Sequence, residues 1–248
     1  MSIPKYLISL DRQVARNQEF AINNPDLTNL TIFQSYDGQN PDYLDDWARP
    51  RVSENLNWLP GAIGCGLAHM KLWEMCIELD TSILILENDA KLVINFDTHL
   101  EQIVSRLPED WDVIFFGSNW DAFTFIDLFK EEFGTAKVEF NQPLLGLFFD
   151  STSFRFSDPA FYKVRVTYGT HCYLLSPKGA RDLVSRIPVL ENKFFRVPRT
   201  DLYLNPDTLD GLMNEHYKDI NCYMTLPQMS FVKNDKSVSS IWVEGLNN

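Results

Sequence analysis

Ser82-Ile83-Leu84-Ile85-Leu86 is an almost unbroken apolar run that stops abruptly at Glu87-Asn88-Asp89. A run without polar alternation is a strand buried on both faces, which requires helices packed on each side of its sheet. The preceding segment fits that demand. From Ala62 to about Leu79, introduced by Pro60-Gly61, only Lys71, Glu74 and Glu78 form a polar stripe, at helical spacings of three and four. A mostly buried helix leading into a buried strand indicates an α/β domain.

Other segments extend the pattern. Tyr6 to Leu10 reads as a first strand, with Asp11 able to cap a helix from Arg12 to about Ile22. Leu30 to Phe33 is a second strand before the turn pair Asp37-Gly38, and residues Gln39 to Leu59 lack a period. Thr98 and Glu101 have capping-box spacing ahead of a helix bearing Leu100, Ile103, Val104 and Leu107. Val113 to Phe116 is another buried strand. Residues 119 to 167, rich in phenylalanine and acids, show little periodicity and are expected to be irregular. Order returns in a strand at Tyr173-Leu174-Leu175, a helix opened by Ser176-Pro177, a helix capped by Asp207, and a late strand, Cys222 to Leu226. The expectation is one domain with a mostly parallel sheet and a more irregular second half.

At 248 residues and 45% hydrophobic the chain can bury one large core. Its 34 acidic against 22 basic residues, a formal charge of −12, argue against a general nucleic-acid partner. The four cysteines, Cys65, Cys76, Cys172 and Cys222, form no CxxC pair and suggest neither zinc nor a disulfide framework. Without a signal-like start or a long apolar span, a cytoplasmic protein is expected, a peripheral contact with the inner membrane face being the membrane association left open.

Ligands of open α/β sheets gather beyond the carboxyl ends of the strands. Glu87 and Asp89 stand there, two apart in extended chain and so on one side, suited to a hard cation or a ribose. As isolated acids they would read as a solvated turn. Gly61, Gly64 and Gly66 crowd a helix start, where each costs ~1 kcal/mol against alanine, so something approaches closely: another element, or a diphosphate on exposed amides. His69 lies away from the polar stripe and fits a core or a catalytic histidine equally. The Gly169-Thr170-His171 turn either aims an imidazole at a ligand or simply begins a strand. Asp201, Asp207 and Asp210 form a late acidic cluster. Lys5, Arg12 and Arg16 near the first strand are candidates for phosphate contacts.

Together, Gly61-Ala62-Ile63-Gly64-Cys65-Gly66-Leu67-Ala68-His69, then Trp73, then Leu84-Ile85-Leu86-Glu87-Asn88-Asp89-Ala90 resemble glycosyltransferase family 25, the lipooligosaccharide galactosyltransferases related to collagen galactosyltransferases. Agreement extends through Ile8 to Arg12 with Arg16, Asp37-Gly38, Trp111 to Ile114, Gly169 to Ala180 and Asp201-Leu202, reaches Pro227 and Ser237, and is weakest between Asn119 and Thr167.

The resemblance implies a GT-A-type fold, with a nucleotide-sugar half over about 1–118 and an acceptor half over about 119–248. It implies transfer of a hexose, galactose most often, from a UDP-sugar to a saccharide or glycolipid hydroxyl, with inversion, using Mn²⁺ or Mg²⁺, in cell-surface glycan or lipooligosaccharide synthesis. In that reading Leu10 and Asp37 frame the uridine, Arg16 and Gly64 meet the diphosphate, and Glu87 and Asp89 hold ribose and metal. Asp201 is the catalytic base, with Asp121, Glu54 and Asp210 as the other carboxylates, while His69 and His171 orient the diphosphate or donor sugar. Two departures stand out: the family's Glu-Asp-Asp is Glu87-Asn88-Asp89, and its Ser-His is Ala68-His69. Loss of the middle carboxylate keeps a binding module without turnover in play, and a sugar-nucleotide hydrolase is a further reading, since water can replace the acceptor in the same geometry.

Overall fold

Lys5–Ser9 (β1) lies between two parallel partners, Leu30–Gln34 (β2) and Ile83–Glu87 (β3), at one side of a nine-stranded sheet. The computed structural model describes residues 3–40, 42–128, 134–142, 158–198 and 200–232. Beyond β3, Cys172–Leu175 (β9) runs antiparallel between β3 and Val113–Phe115 (β5), and Cys222–Leu226 (β12) pairs parallel with β5. Ala160–Val166 (β8), Phe123–Asp127 (β6) and Thr135–Glu139 (β7) complete the far edge, all antiparallel.

The sheet is therefore mixed, with three parallel and five antiparallel pairings, and the expectation of a mostly parallel one is corrected. Too few residues separate β6 from β7 for a parallel crossover, and the two strands pair antiparallel. Strand signals exist in that stretch after all. In β8, Val164 and Val166 are buried while Lys163 and Arg165 alternate with them. Parts of the aromatic stretch, 129–133 and 143–157, lie outside the described residues.

Strand parity divides the core. Ile83 and Ile85 pack with Leu67, Leu72 and Trp73 of Pro60–Leu79 (α2) and with Ala180 and Leu183 of Pro177–Arg186 (α4). Leu84 and Leu86 face the other way, onto Phe20 of Val14–Asn23 (α1) and Phe96, Leu100 and Ile103 of Phe96–Val104 (α3). All four strand residues are wholly inaccessible, so the double-sided burial read from the apolar run is what forms. Each such side chain is worth ~1.5–3 kcal/mol of burial.

Local signals fared unevenly. Ser176 Oγ accepts the Gly179 amide at 3.0 Å and Pro177 opens α4, as expected. Gln13, not Asp11, occupies the N-cap of α1, and α3 starts at Phe96, which places Thr98 inside it. The helix before β12 (α5) is only Leu209–Met213 with Thr208 at its N-cap, leaving Asp207 exposed. Small pairings unmarked in the sequence, Ala90–Leu92 (β4) with Ser230–Val232 (β13) and Phe195–Arg196 (β10) with Tyr203–Leu204 (β11), finish the fold. Among the described residues no helix is long and apolar enough to cross a membrane.

Candidate active site

The parity that sorts the core also sorts the three residues after Leu86. Glu87 shares the face of Ile83 and Ile85 and meets the α2 side, where its Oε1 accepts the Thr170 hydroxyl at 2.8 Å and lies 3.4 Å from His69 Nε2. Asn88 turns toward α1. Its buried amide donates to Gln13 Oε1 at 3.0 Å and Asn17 Oδ1 at 2.9 Å, with Ser9 Oγ at 3.4 Å. Asp89 comes back out, Oδ2 at 2.5 Å from Arg16 Nη2 and Oδ1 buried without a hydrogen-bond partner.

Electrostatics separate the two acids. Burial alone would raise Glu87, but the nearby His69 ring and the Thr170 hydrogen bond hold it well below the usual carboxylate range. Asp89 moves up instead, because burial and the Glu87 charge outweigh Arg16. One oxygen of each acid is free among the described residues, Glu87 Oε2 and Asp89 Oδ1.

Two cavities meet at these side chains. The first, of about 150 Å³, lies over the end of β1 and is walled by Leu10, Arg12, Arg16 and Asp37. The second, of about 220 Å³, lies toward the later chain and is walled by Asp121, Tyr168, Thr170, His171 and Asp210. Cys65, Glu87 and Asp89 line both. The inward end of β9 makes the second cavity possible, because its antiparallel course delivers Thr170 and His171 to the point where β3 ends. Gly169 precedes them at φ +98°, a conformation open to glycine, and its amide donates to Asp210 Oδ2 at 2.7 Å. The Gly211 amide holds Asp210 Oδ1 at 2.9 Å, so this carboxylate is fixed in the cavity wall.

Most residues expected at a site are here, but not all in the expected way. Leu10, Arg16, Asp37, Glu87, Asp89 and His171 line the cavities. Arg12 grips Asp37 through Nε at 2.8 Å and Nη2 at 3.2 Å, which lowers the Asp37 pKa. His171 is buried with neither ring nitrogen in hydrogen-bonding geometry, the Ser230 backbone being nearby, and burial lowers its pKa against the pull of Asp89 and Glu87.

Gly64 lines neither cavity. A Cβ there would stand 2.1 Å from the Tyr36 carbonyl oxygen, so its bareness admits the loop after β2. His69 is wholly buried behind Glu87 and is not on a cavity wall, so direct contact with a diphosphate or sugar is corrected. Asp201 is fully exposed on the β10–β11 hairpin, paired with Arg196 at 2.9 Å, and it lines neither cavity. A carboxylate among hydrogen-bonded turn residues gives no sequence sign of which side it faces. Glu54 is likewise exposed outside both cavities, and Lys5 is held at the opposite end of β1 by Asp97 at 2.8 Å and the Thr28 carbonyl at 2.9 Å. In the sequence nothing but a turn marks Thr170, whose hydroxyl meets Glu87 only once β9 is in place.

The all-oxygen donor set of Glu87 Oε2 and the orphaned Asp89 Oδ1 fits a hard divalent cation. Ligand atoms of Cys65, His69 and Glu87 also come within 4.8 Å of one another. The hydrogen bonding of His69, taken up below, keeps a proton on its Nε2 and so disfavours metal there.

In this α/β protein the acids at the end of one central strand, β3, form a wall common to two cavities. The chain belongs to glycosyltransferase family 25: the family described as "Glycosyltransferase family 25 (LPS biosynthesis protein)" matches residues 2–198. A "Glycosyltransferase 25 family member" from Aedes aegypti is 28% identical over 127 residues, covering 45% of this chain and 20% of the relative, so the chain matches about a fifth of that relative's length. A crystal structure of A197 from STIV superposes over 95% of each chain with a TM-score of 0.39 at 11% identity, too loose a likeness to bear on the site.

The middle residue of the acidic triplet can be tested at once. Asn88→Asp sets a carboxylate among three oxygens, although Gln13 and Asn17 can turn their amide N–H groups toward it. A loss of ~1–2 kcal/mol in chemical denaturation is expected, with donor affinity kept. Loss of donor binding at unchanged stability would show instead that Asn88 itself meets the ligand.

Proposed function

We propose that this chain transfers a hexose, with galactose as first candidate, from a UDP-sugar to a saccharide hydroxyl with inversion, on a GT-A-type scaffold. The observation that carries the reading is the common wall of Glu87 and Asp89 between two cavities of different character. The first, with Asp37, Arg12 and Arg16, suits a nucleotide diphosphate: a carboxylate for ribose or base and guanidinium groups for phosphate. The second, with fixed acid and an aromatic ring, suits a polyhydroxylated acceptor.

In this reading Glu87 and Asp89 would hold Mn²⁺ or Mg²⁺, which would neutralise charge on the departing diphosphate. The acceptor oxygen forms its bond to the anomeric carbon as the bond to the diphosphate oxygen breaks, the electron pair leaving with the diphosphate. The acceptor proton passes to a carboxylate on the face opposite the leaving group. Asp201 is poorly situated for that step, and Asp210 takes its place: two backbone amides fix it in the second cavity and leave lone pairs for a hydroxyl. Cell-surface glycan synthesis on the cytoplasmic side remains the setting we propose.

A thermal-shift screen of sugar nucleotides with Mn²⁺ tests the donor. One UDP-sugar at a hundred times its dissociation constant should add ~2.7 kcal/mol of stability, read as a raised midpoint. UDP release that depends on added saccharide acceptor supports transfer. Release at the same rate without acceptor identifies a hydrolase, and stabilisation without release under any acceptor identifies a binding module.

A further inference from the structure

Behind Glu87 lies a chain of polar groups sealed from solvent. The Trp73 indole Nε1 is 2.9 Å from the Tyr173 hydroxyl, which is 2.9 Å from His69 Nδ1, and all three side chains are inaccessible. His69 Nε2, on the far side of the ring, faces Glu87 Oε1 at 3.4 Å without closing a hydrogen bond to it or to any other described residue.

The direction of this chain follows from its first member. An indole nitrogen only donates, so the Tyr173 oxygen accepts there and its own proton is left to give. Among the described residues the acceptor at hand is His69 Nδ1. A neutral ring that accepts at Nδ1 carries its proton at Nε2, and that proton faces Glu87. The opposite tautomer would give Tyr173 two donors and leave its hydroxyl proton buried without an acceptor, a cost of ~1–3 kcal/mol.

We infer that Trp73, Tyr173 and His69 act as a tautomer lock, positioning residues that dedicate Glu87 Oε1 to the protein and leave Oε2 as the only oxygen it offers to a ligand. Thr170 contributes to the same end from the opposite side, since its hydroxyl donates to that same Oε1. The Thr170 hydroxyl thus holds the carboxylate at Oε1, and the His69 N–H from α2 faces that same oxygen at 3.4 Å, which leaves Oε2 as the oxygen engaged by neither group. Trp73 and His69 lie four residues apart on α2, which aligns them on one face, and Tyr173 stands opposite on β9.

The significance of Oε2 for a ligand rests on the function proposed above, but the lock itself does not, and the two fail separately. The chain has four histidines, so the ring nitrogens of His69 can be assigned by ¹⁵N spectroscopy in the metal-free protein. The expected result is a proton bonded to Nε2 of His69 and an unprotonated Nδ1. In Tyr173→Phe, which conserves ring volume, the tautomer should become mixed or reverse. A proton on Nδ1 in the unaltered protein, or an unchanged tautomer in Tyr173→Phe, overturns the lock; should Tyr173→Phe fail to fold, the first measurement still decides.

His69→Gln and His69→Ala test the consequence by Mn²⁺ titration of the apo protein. Glutamine can extend an N–H toward Oε1 and should keep affinity within about threefold, whereas alanine should weaken it about 10–100-fold, as loss of a group orienting a metal ligand does. Equal affinity in both would overturn the positioning role. A confirmed tautomer in a protein that binds no UDP-sugar would leave the lock standing and remove the proposed function.

Discussion

Asp89→Asn should cut transferase turnover by about a hundredfold to a thousandfold, the size of losses when a group stabilising transition-state charge is removed. The fold should survive it. Asp89 shares its site with the ionised Glu87, and its pKa is raised by burial and by that charge, so the substitution relieves repulsion. Arg16 loses its partner but is itself partly exposed and can turn to solvent. The thermal midpoint without ligand should therefore hold or rise, while the extra stability given by Mn²⁺ with donor disappears. A variant as active as the unaltered protein, or one that fails only because it unfolds, would remove Asp89 from the metal role.

Asp210→Asn is the second large effect. If Asp210 takes the acceptor proton, turnover falls about 10²–10⁴-fold with donor affinity unchanged. The amide can still accept from Gly169, but its NH₂ then faces the Gly211 amide, so a modest loss of stability accompanies the change. Assays well below the midpoint separate the two effects. Asp201→Asn is the control, since an exposed carboxylate paired with Arg196 should change turnover by less than about twofold. A deep loss in Asp201→Asn, or a loss in Asp121→Asn that matches a mild one in Asp210→Asn, would reassign the base.

The part of this molecule that hydrophobic patterning governs was legible in the sequence. Ile83 to Leu86 announced a strand covered on both faces because solvation forbids such a run elsewhere, and the acids after it marked the strand end where the cavities open. Pairing direction was not legible. Cys172–Leu175 is equally apolar whichever way it runs, and only its neighbours β3 and β5 fix it as antiparallel. Roles that depend on which way a polar side chain turns were also hidden. Gly64 looked like an anion cradle but admits the Tyr36 backbone, and Asp201 matched a family position yet faces solvent. His69 stands beside Glu87, and its burial behind that acid emerges only when α2 is laid against β9.

The antiparallel entry of β9 also bears on the order in which competence arises. A chain extended only through Gly117 already contains Glu87, Asp89 and every residue of the first cavity, yet it lacks the strand that fills the gap between β3 and β5. Thr170 and His171 arrive with that strand, and Asp210 and β12 come later still. Closing such distant contacts is slow relative to local structure. The acids thus acquire their second compartment only when the sheet is sealed at its centre.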